Sequence, residues 1–272
     1  MNNNICNIIS YYDIIDETAT NRDVINIQCT VKSGPKTGSD GLSDIKCSDT
    51  ETLVSCGINA YHAPGGARVN PNIKNSCSVL SHDEGNIRAR PYAVCCTFPD
   101  GAIVDISDVY SNPGTKVSVT CDPDYSLTGC HVYYASGWYN QIKGSFTGIQ
   151  SGNTPQTSSW ISTGNSCTAE SKIDTMVTAS ARCIKFSDQY SLDCKTIAKF
   201  VSKYDFGQCE AEYNMFGCNA YTNTNSLDSY YRTSSGRCYV RQDNHVALYA
   251  NAICCQLKKG INLFTDYLLY HI

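Results

Sequence analysis

Short stretches of alternating apolar and polar residues recur along the chain, separated by runs of Gly, Ser, Asn and Pro. TKVSVTC (115–121) alternates with a period of two, and HVYY (131–134) and MVTASARC (176–183) obey the same rule. That period marks a strand with one buried face, and many short strands with turn residues at regular spacing predict an all-β sandwich. Helical periodicity is weak. DCKTIAKFVSKYD (193–205) is the best exception, with Ile197, Phe200 and Val201 on one face. It reads either as a helical linker or as the first strand of the C-terminal part of the chain. INLFTDYLLYHI (261–272) is apolar but far too short to span a membrane, and reads as a docking helix or a frayed extension.

The cysteines change the picture. Cys29, Cys47, Cys56, Cys77, Cys95 and Cys96 are spaced 18, 9, 21, 18 and 1, while Cys194, Cys209, Cys218, Cys238, Cys254 and Cys255 are spaced 15, 9, 20, 16 and 1. Between them Cys121, Cys130, Cys167 and Cys183 are spaced 9, 37 and 16. These spacings read as one module used three times. The 9-spaced pairs read CSDTETLVSC, CDPDYSLTGC and CEAEYNMFGC, polar first and apolar later, with Gly129 and Gly217 just before the second cysteine in two of them. The closing segments RPYAVCC, VTASARCI and ALYANAICC are small-residue strands. The resulting boundaries are a leader or linker over 1–26, module one over 27–98, module two over 99–187, module three over 188–258 and a tail over 259–272.

Module two lacks the first cysteine, expected around Ile103 to Ile106, and the sixth, replaced by Ile184. Joint loss implies that these two normally bond to each other. Adjacent cysteines seldom bond together, so each member of a doublet reaches a different partner. Six cysteines allow 15 connectivities, and fixing one–six leaves three. The residues alone do not choose among them, although the nested pattern is favoured.

Six cysteines closing in a doublet, the pair ending LTGC and the close A-x-A-x-C-C, with SLTGCHV (126–132) and ANAICC (250–255), resemble the Cys/His-rich C-terminal domain of proprotein convertase subtilisin/kexin type nine. The resemblance covers roughly residues 27–257. It implies three disulfide-rich, resistin-like β-sandwich modules in a pseudo-threefold arrangement, with nested connectivity. The implied bonds are Cys29–Cys96, Cys47–Cys95 and Cys56–Cys77, then Cys121–Cys183 and Cys130–Cys167, then Cys194–Cys255, Cys209–Cys254 and Cys218–Cys238. Cys6 is left over. The resemblance also implies a non-enzymatic extracellular interaction module. Histidines are few here and no subtilisin-like catalytic part is recognisable, so neither a histidine-based pH response nor receptor targeting carries over.

Composition agrees with an oxidised, extracellular chain. Seventeen cysteines in 272 residues are more than cytosolic enzymes usually carry. Zinc is the rival, but no Cys-x2–4-Cys pair exists and His62, His82, His131, His245 and His271 are scattered, so no metal site is expected. Residues 1–28 do not make a signal peptide, being Asn-rich and acidic at the start. The net charge is −4 and Lys258-Lys259 is the one adjacent basic pair, which argues against nucleic acid. No apolar run is long enough for a membrane span. There is no Asn-x-Ser/Thr sequon. Modules of this size bury little apolar area and lean on their disulfides.

No catalytic set emerges and no cofactor is expected. Asp122 and Asp124 read as turn residues. The anomaly is the interval between Cys130 and Cys167, with 36 intervening residues against 20 and 19 in the sister modules. It holds Tyr133, Tyr134, Trp138, Tyr139, Phe146 and Trp160 among small polar residues. Aromatics on polar loops suit protein hot spots and sugar stacking, so Tyr133, Tyr134, Trp138, Tyr139 and Trp160 are the candidate binding residues. The plainer alternative is a substitute mini-core where a disulfide is missing. YHAPGGARVN (61–70) and NSLDSYYRTSSGR (225–237) are the equivalent connections, expected to be exposed, with Arg68, Arg232 and Arg237 facing solvent or an acidic partner. The leading expectation is a protein–protein interaction or adhesion module that binds an extracellular or cell-surface protein. It would form the C-terminal region of a larger secreted protein. The alternatives are a lectin acting through the loop 131–166 and a structural matrix or coat protein.

Overall fold

The computed structural model describes residues 24–37, 41–59, 64–81, 89–136, 142–147, 160–162, 164–171, 175–187, 189–201, 204–222, 229–234, 236–242 and 248–259. Every regular element among them is a β-strand. The all-β expectation therefore holds, and residues 193–201 and 204–205 are strand rather than helix. After β1 (Val24–Ile25), residues 27–98 give β2 (Gln28–Ser33), β3 (Leu42–Lys46), β4 (Thr52–Asn59), β5 (Pro64–Val69), β6 (Ser76–Ser81) and β7 (Arg90–Thr97). Residues 99–187 give β8 (Val104–Tyr110), β9 (Lys116–Thr120), β10 (Ser126–Ser136), β11 (Ile142–Thr147), β12 (Trp160–Ser162), β13 (Ser166–Ser171) and β14 (Met176–Phe186). Residues 188–258 give β15 (Tyr190–Val201), β16 (Tyr204–Gln208), β17 (Asn214–Tyr221), β18 (Ser229–Ser234), β19 (Arg237–Gln242) and β20 (Leu248–Lys259).

Each of the three segments contributes two antiparallel triplets. The first triplets run β2-β7-β4, β8-β14-β10 and β15-β20-β17; the second run β3-β6-β5, β9-β13-β11 and β16-β19-β18. No triplet stays alone. The first triplet of 27–98 joins the second of 188–258 through β4 and β18, with Tyr231 opposite Ile58. The first of 99–187 joins the second of 27–98 through Tyr133 opposite Gly66, and the first of 188–258 joins the second of 99–187 through Gly144 opposite Tyr221. All three sheets thus mix strands from two segments.

The connections expected to be exposed are partly strand. β5 lies in 61–70, and β18 and the start of β19 lie in 225–237. The long interval 131–166 holds the end of β10, all of β11, and β12, which pairs with β15 at the edge of the neighbouring segment's triplet. β1, within the expected leader, pairs with β20. Cys6 and the tail beyond 259 lie outside the described residues.

Strand geometry accounts for the doublets. Successive residues of a strand point to opposite faces. Cys96 and Cys255 face their in-sheet opposites Cys29 and Cys194 and bond to them. Their neighbours Cys95 and Cys254 point the other way and bond Cys47 and Cys209, beside the second triplet. In the middle segment only the latter kind remains, Cys121–Cys183. At the position of the absent bond Ile106 stands opposite Ile184, which is fully buried. The remaining bonds, Cys56–Cys77, Cys130–Cys167 and Cys218–Cys238, each tie the first triplet to the second. The eight disulfides are thus the nested set.

A shared register shift marks all three segments. It falls between Leu53 and Ser55, between Leu127 and Gly129, and between Met215 and Gly217, leaving Val54, Thr128 and Phe216 as the extra residue. All three are buried, and β4, β10 and β17 pack together there. The small residues before the second cysteine result from this approach. A Cβ on Gly217 would lie 2.7 Å from the Thr128 carbonyl oxygen and 3.2 Å from Ser55 Oγ, and one on Gly129 would meet the His131 ring.

Candidate functional site

Of the expected aromatic cluster of 131–166, Tyr133 and Tyr134 are the members whose side chains fall within the described residues, and these two do not share a surface. Tyr133 and Tyr134 are neighbours on β10 and point to opposite faces. Tyr134 is a core residue. Tyr133 is half-buried, with the Arg68 guanidinium 3.9 Å over its ring centre. Trp160 lies on β12 opposite Ala198. Trp138 and Tyr139 lie outside the described residues.

A different site stands out beside the position of the absent disulfide. Two residues along from Ile106 and Ile184, Asp108 on β8 faces Arg182 on β14. The sister segments carry Val31 opposite Val94 and Thr196 opposite Ile253 at the same register. A charged pair thus stands in one segment where the other two have uncharged pairs. Arg182 Nη1 donates to both carboxylate oxygens of Asp108, at 3.1 and 2.9 Å. Side-chain exposure is 3% for Arg182 and 25% for Asp108, so the cation is interior and the anion reaches the surface. Arg182 Nε is buried with no hydrogen-bond partner among the described residues.

Above this pair lies a cleft of about 440 Å³ lined on one side by Ile106, Asp108, Tyr110 and Arg182, and on the other by Val69 and the turn 70–75. The Tyr110 hydroxyl donates to the Val69 carbonyl at 3.2 Å, linking the two sides of the cleft. The turn is held rigidly. Asn70 Oδ1 accepts from the amides of Asn72 and Ile73, and its Nδ2 donates to Asp44. Asn75, at φ 64°, accepts from the Leu53 amide and donates to the Glu51 carbonyl. Lys74 and Asn72 stand exposed at the rim.

Burial dominates the electrostatics. It pushes the Asp108 carboxyl above its ordinary range, against the opposing pull of Arg182. Arg182 is lowered by burial and pulled back up by Asp108. The Tyr110 hydroxyl is pushed up to about 12, first by burial and then by Asp108, so it is a neutral donor at ordinary pH. Each group supports the other's charge, and the exposed carboxylate edge is an acceptor of fixed orientation.

His131 lies deeper, fully buried where the segments meet. Its Nε2 accepts the Cys56 amide at 3.0 Å, which assigns the ring proton to Nδ1, 3.4 Å from Ser180 Oγ. Burial pulls its pKa down to about 3, so the ring is neutral and structural. Among the described residues no group of three or more His, Cys, Asp or Glu could hold a metal ion, and no helix is long and apolar enough to cross a membrane.

The signal for Asp108–Arg182 is present in the sequence. Arg182 is the one charge inside the small-residue run VTASARCI, at a place where the sister closes RPYAVCC and ALYANAICC carry Val94 and Ile253. No protein-family model matches the chain, and no curated protein matches it.

Proposed function

We propose that this chain is a non-enzymatic extracellular binding module, made of three resistin-like units about a pseudo-threefold axis, and that its ligand occupies the cleft over Asp108 and Arg182. The cyclic exchange of triplets and the bulge repeated at Val54, Thr128 and Phe216 support the threefold reading. Eight disulfides support an oxidising location. The observation that carries the functional reading is the ion pair set into one repeat alone, at a register where the others place uncharged side chains. A buried pair is weak support for stability. A partly exposed carboxylate braced from below is what a binding site needs.

The test uses the sister residues as a guide. The labelled, oxidised protein is added to intact cells of its source organism and bound label is measured against concentration, for the natural chain and for D108V/R182V. Saturable binding that falls at least tenfold in the double variant, with an unchanged melting temperature, is expected. Equal binding by both proteins would place the ligand elsewhere, and absence of saturable binding would remove the reading.

A further inference from the structure

The chemistry of the cleft narrows the ligand. This step rests on the reading of the cleft as the binding site. The Asp108 carboxylate has both oxygens on one guanidinium nitrogen, which fixes its plane and leaves further lone-pair positions at its exposed edge. A carboxylate only accepts, so the ligand must bring O–H or N–H donors. Lys74 at the rim only donates, so the ligand must also accept. Hydroxyl groups do both.

Charge selects further. Arg182 and Lys74 line the cleft, and Arg68 is close enough to act on the Tyr110 hydroxyl, so a cationic ligand meets repulsion. Asp108 stands at the floor, so an anionic ligand meets repulsion there. A neutral ligand crosses neither barrier. Tyr110 is 36% exposed, lines the cleft and is anchored by its hydroxyl on Val69, which places an aromatic surface beside the carboxylate. Ile106 and Val69 extend that apolar surface. An aromatic face beside an oriented carboxylate suits a ring with hydroxyls at its edge and C–H groups on its face.

We propose that the cleft binds a neutral carbohydrate, with Asp108 accepting from ring hydroxyls, Lys74 donating to a further oxygen, and the Tyr110 ring lying against the C–H face. None of the residues lining the cleft belongs to the interval 131–166. The pocket is at the small end for such sites, so it takes a terminal sugar and its neighbour rather than a long chain.

The experiment is a glycan array carrying neutral hexose- and N-acetylhexosamine-terminated oligosaccharides together with sialylated and sulfated ones, probed with the whole oxidised chain. The best free oligosaccharide is then titrated by calorimetry. Binding to neutral glycans is expected, with at least a tenfold loss in D108V/R182V and about a threefold loss in K74A, which lies on the exposed rim and leaves the fold intact. Binding confined to sialylated or sulfated glycans overturns the neutral class. Binding to neutral glycans that D108V/R182V retains overturns the site. If no glycan binds while saturable, variant-sensitive binding to cells persists after enzymatic deglycosylation, the carbohydrate inference falls and the cleft survives as a protein-binding site. Loss of both kinds of binding removes both.

Discussion

At the scale of single residues, two half-buried asparagines fix how the first and second segments close. Asn75 and Asn165 each stand two residues before a cysteine, in the repeated triplet Asn-Ser-Cys. Asn165 accepts from the Leu127 amide at 3.2 Å and donates to the Tyr125 carbonyl at 2.6 Å, the counterparts of the Leu53 and Glu51 contacts made by Asn75. The third segment has Gly236 there, at φ 70°. Asn165→Ala strands a half-buried amide and carbonyl, and urea unfolding should show a loss of about 1–3 kcal/mol. His131 gives a pH dependence of defined sign. Its unfolded form takes up a proton near 6.5 and its folded form only near 3, chiefly because burial disfavours the charged ring. Its stabilising contribution is therefore complete above pH 6.5 and lost as the pH falls towards 3. Urea midpoints measured from pH 7 down to 3 should decline, and His131→Asn, which installs the residue found at Asn219, should flatten that part of the decline. Neither asparagine clamp is legible in the sequence, because Asn-Ser in a polar turn looks like any other turn until its partners are known.

At the scale of elements, the β8–β14 pair carries both the lost staple and the gained charge. Arg182→Val leaves Asp108 without its counter-ion in a half-buried place and should cost about 3–5 kcal/mol. The double change D108V/R182V copies Val31 and Val94 and should unfold within about 1 kcal/mol of the natural chain, since a well-packed apolar pair often replaces a buried ion pair without loss. Denaturation of the two single variants and the double variant checks this. A double variant as unstable as the singles would mean that the pair serves the fold. Two residues away, Ile106 and Ile184 stand where the sisters hold Cys29–Cys96 and Cys194–Cys255 at Cα separations of 4.0 and 4.1 Å. I106C/I184C should form a ninth disulfide, seen as a loss of two hydrogens by intact mass, and should stabilise by about 2–4 kcal/mol. The strands themselves are largely legible. TKVSVTC and MVTASARC give themselves away by alternation, and the range predicted for the missing first cysteine ends at Ile106. The interval 131–166 reads as a loop because β11 and β12 are short and pair with partners far along the chain, which local pattern does not encode.

At the scale of the whole molecule, the spacing of cysteines along the chain predicts a division into three segments, and the way the segments join is not readable from that spacing. Three sheets that each borrow a triplet from another segment depend on single pairings such as Tyr231 with Ile58. No periodicity announces them. The Asp108–Arg182 cleft is hidden for the same reason, since Val69 and the turn that roofs it belong to the first segment and the ion pair to the second. What the sequence does carry is the count of thiols, and the architecture rests on it. Sixteen of the 17 cysteines are bonded, and Cys6 lies outside the described residues. The most direct test is alkylation of the denatured, unreduced protein and measurement of its intact mass. One alkyl group or none, the latter if Cys6 is joined to a small thiol or a second chain, is the result expected of an oxidised extracellular module. A natural, folded chain that takes up close to 17 would contradict the disulfide framework and the extracellular reading built on it.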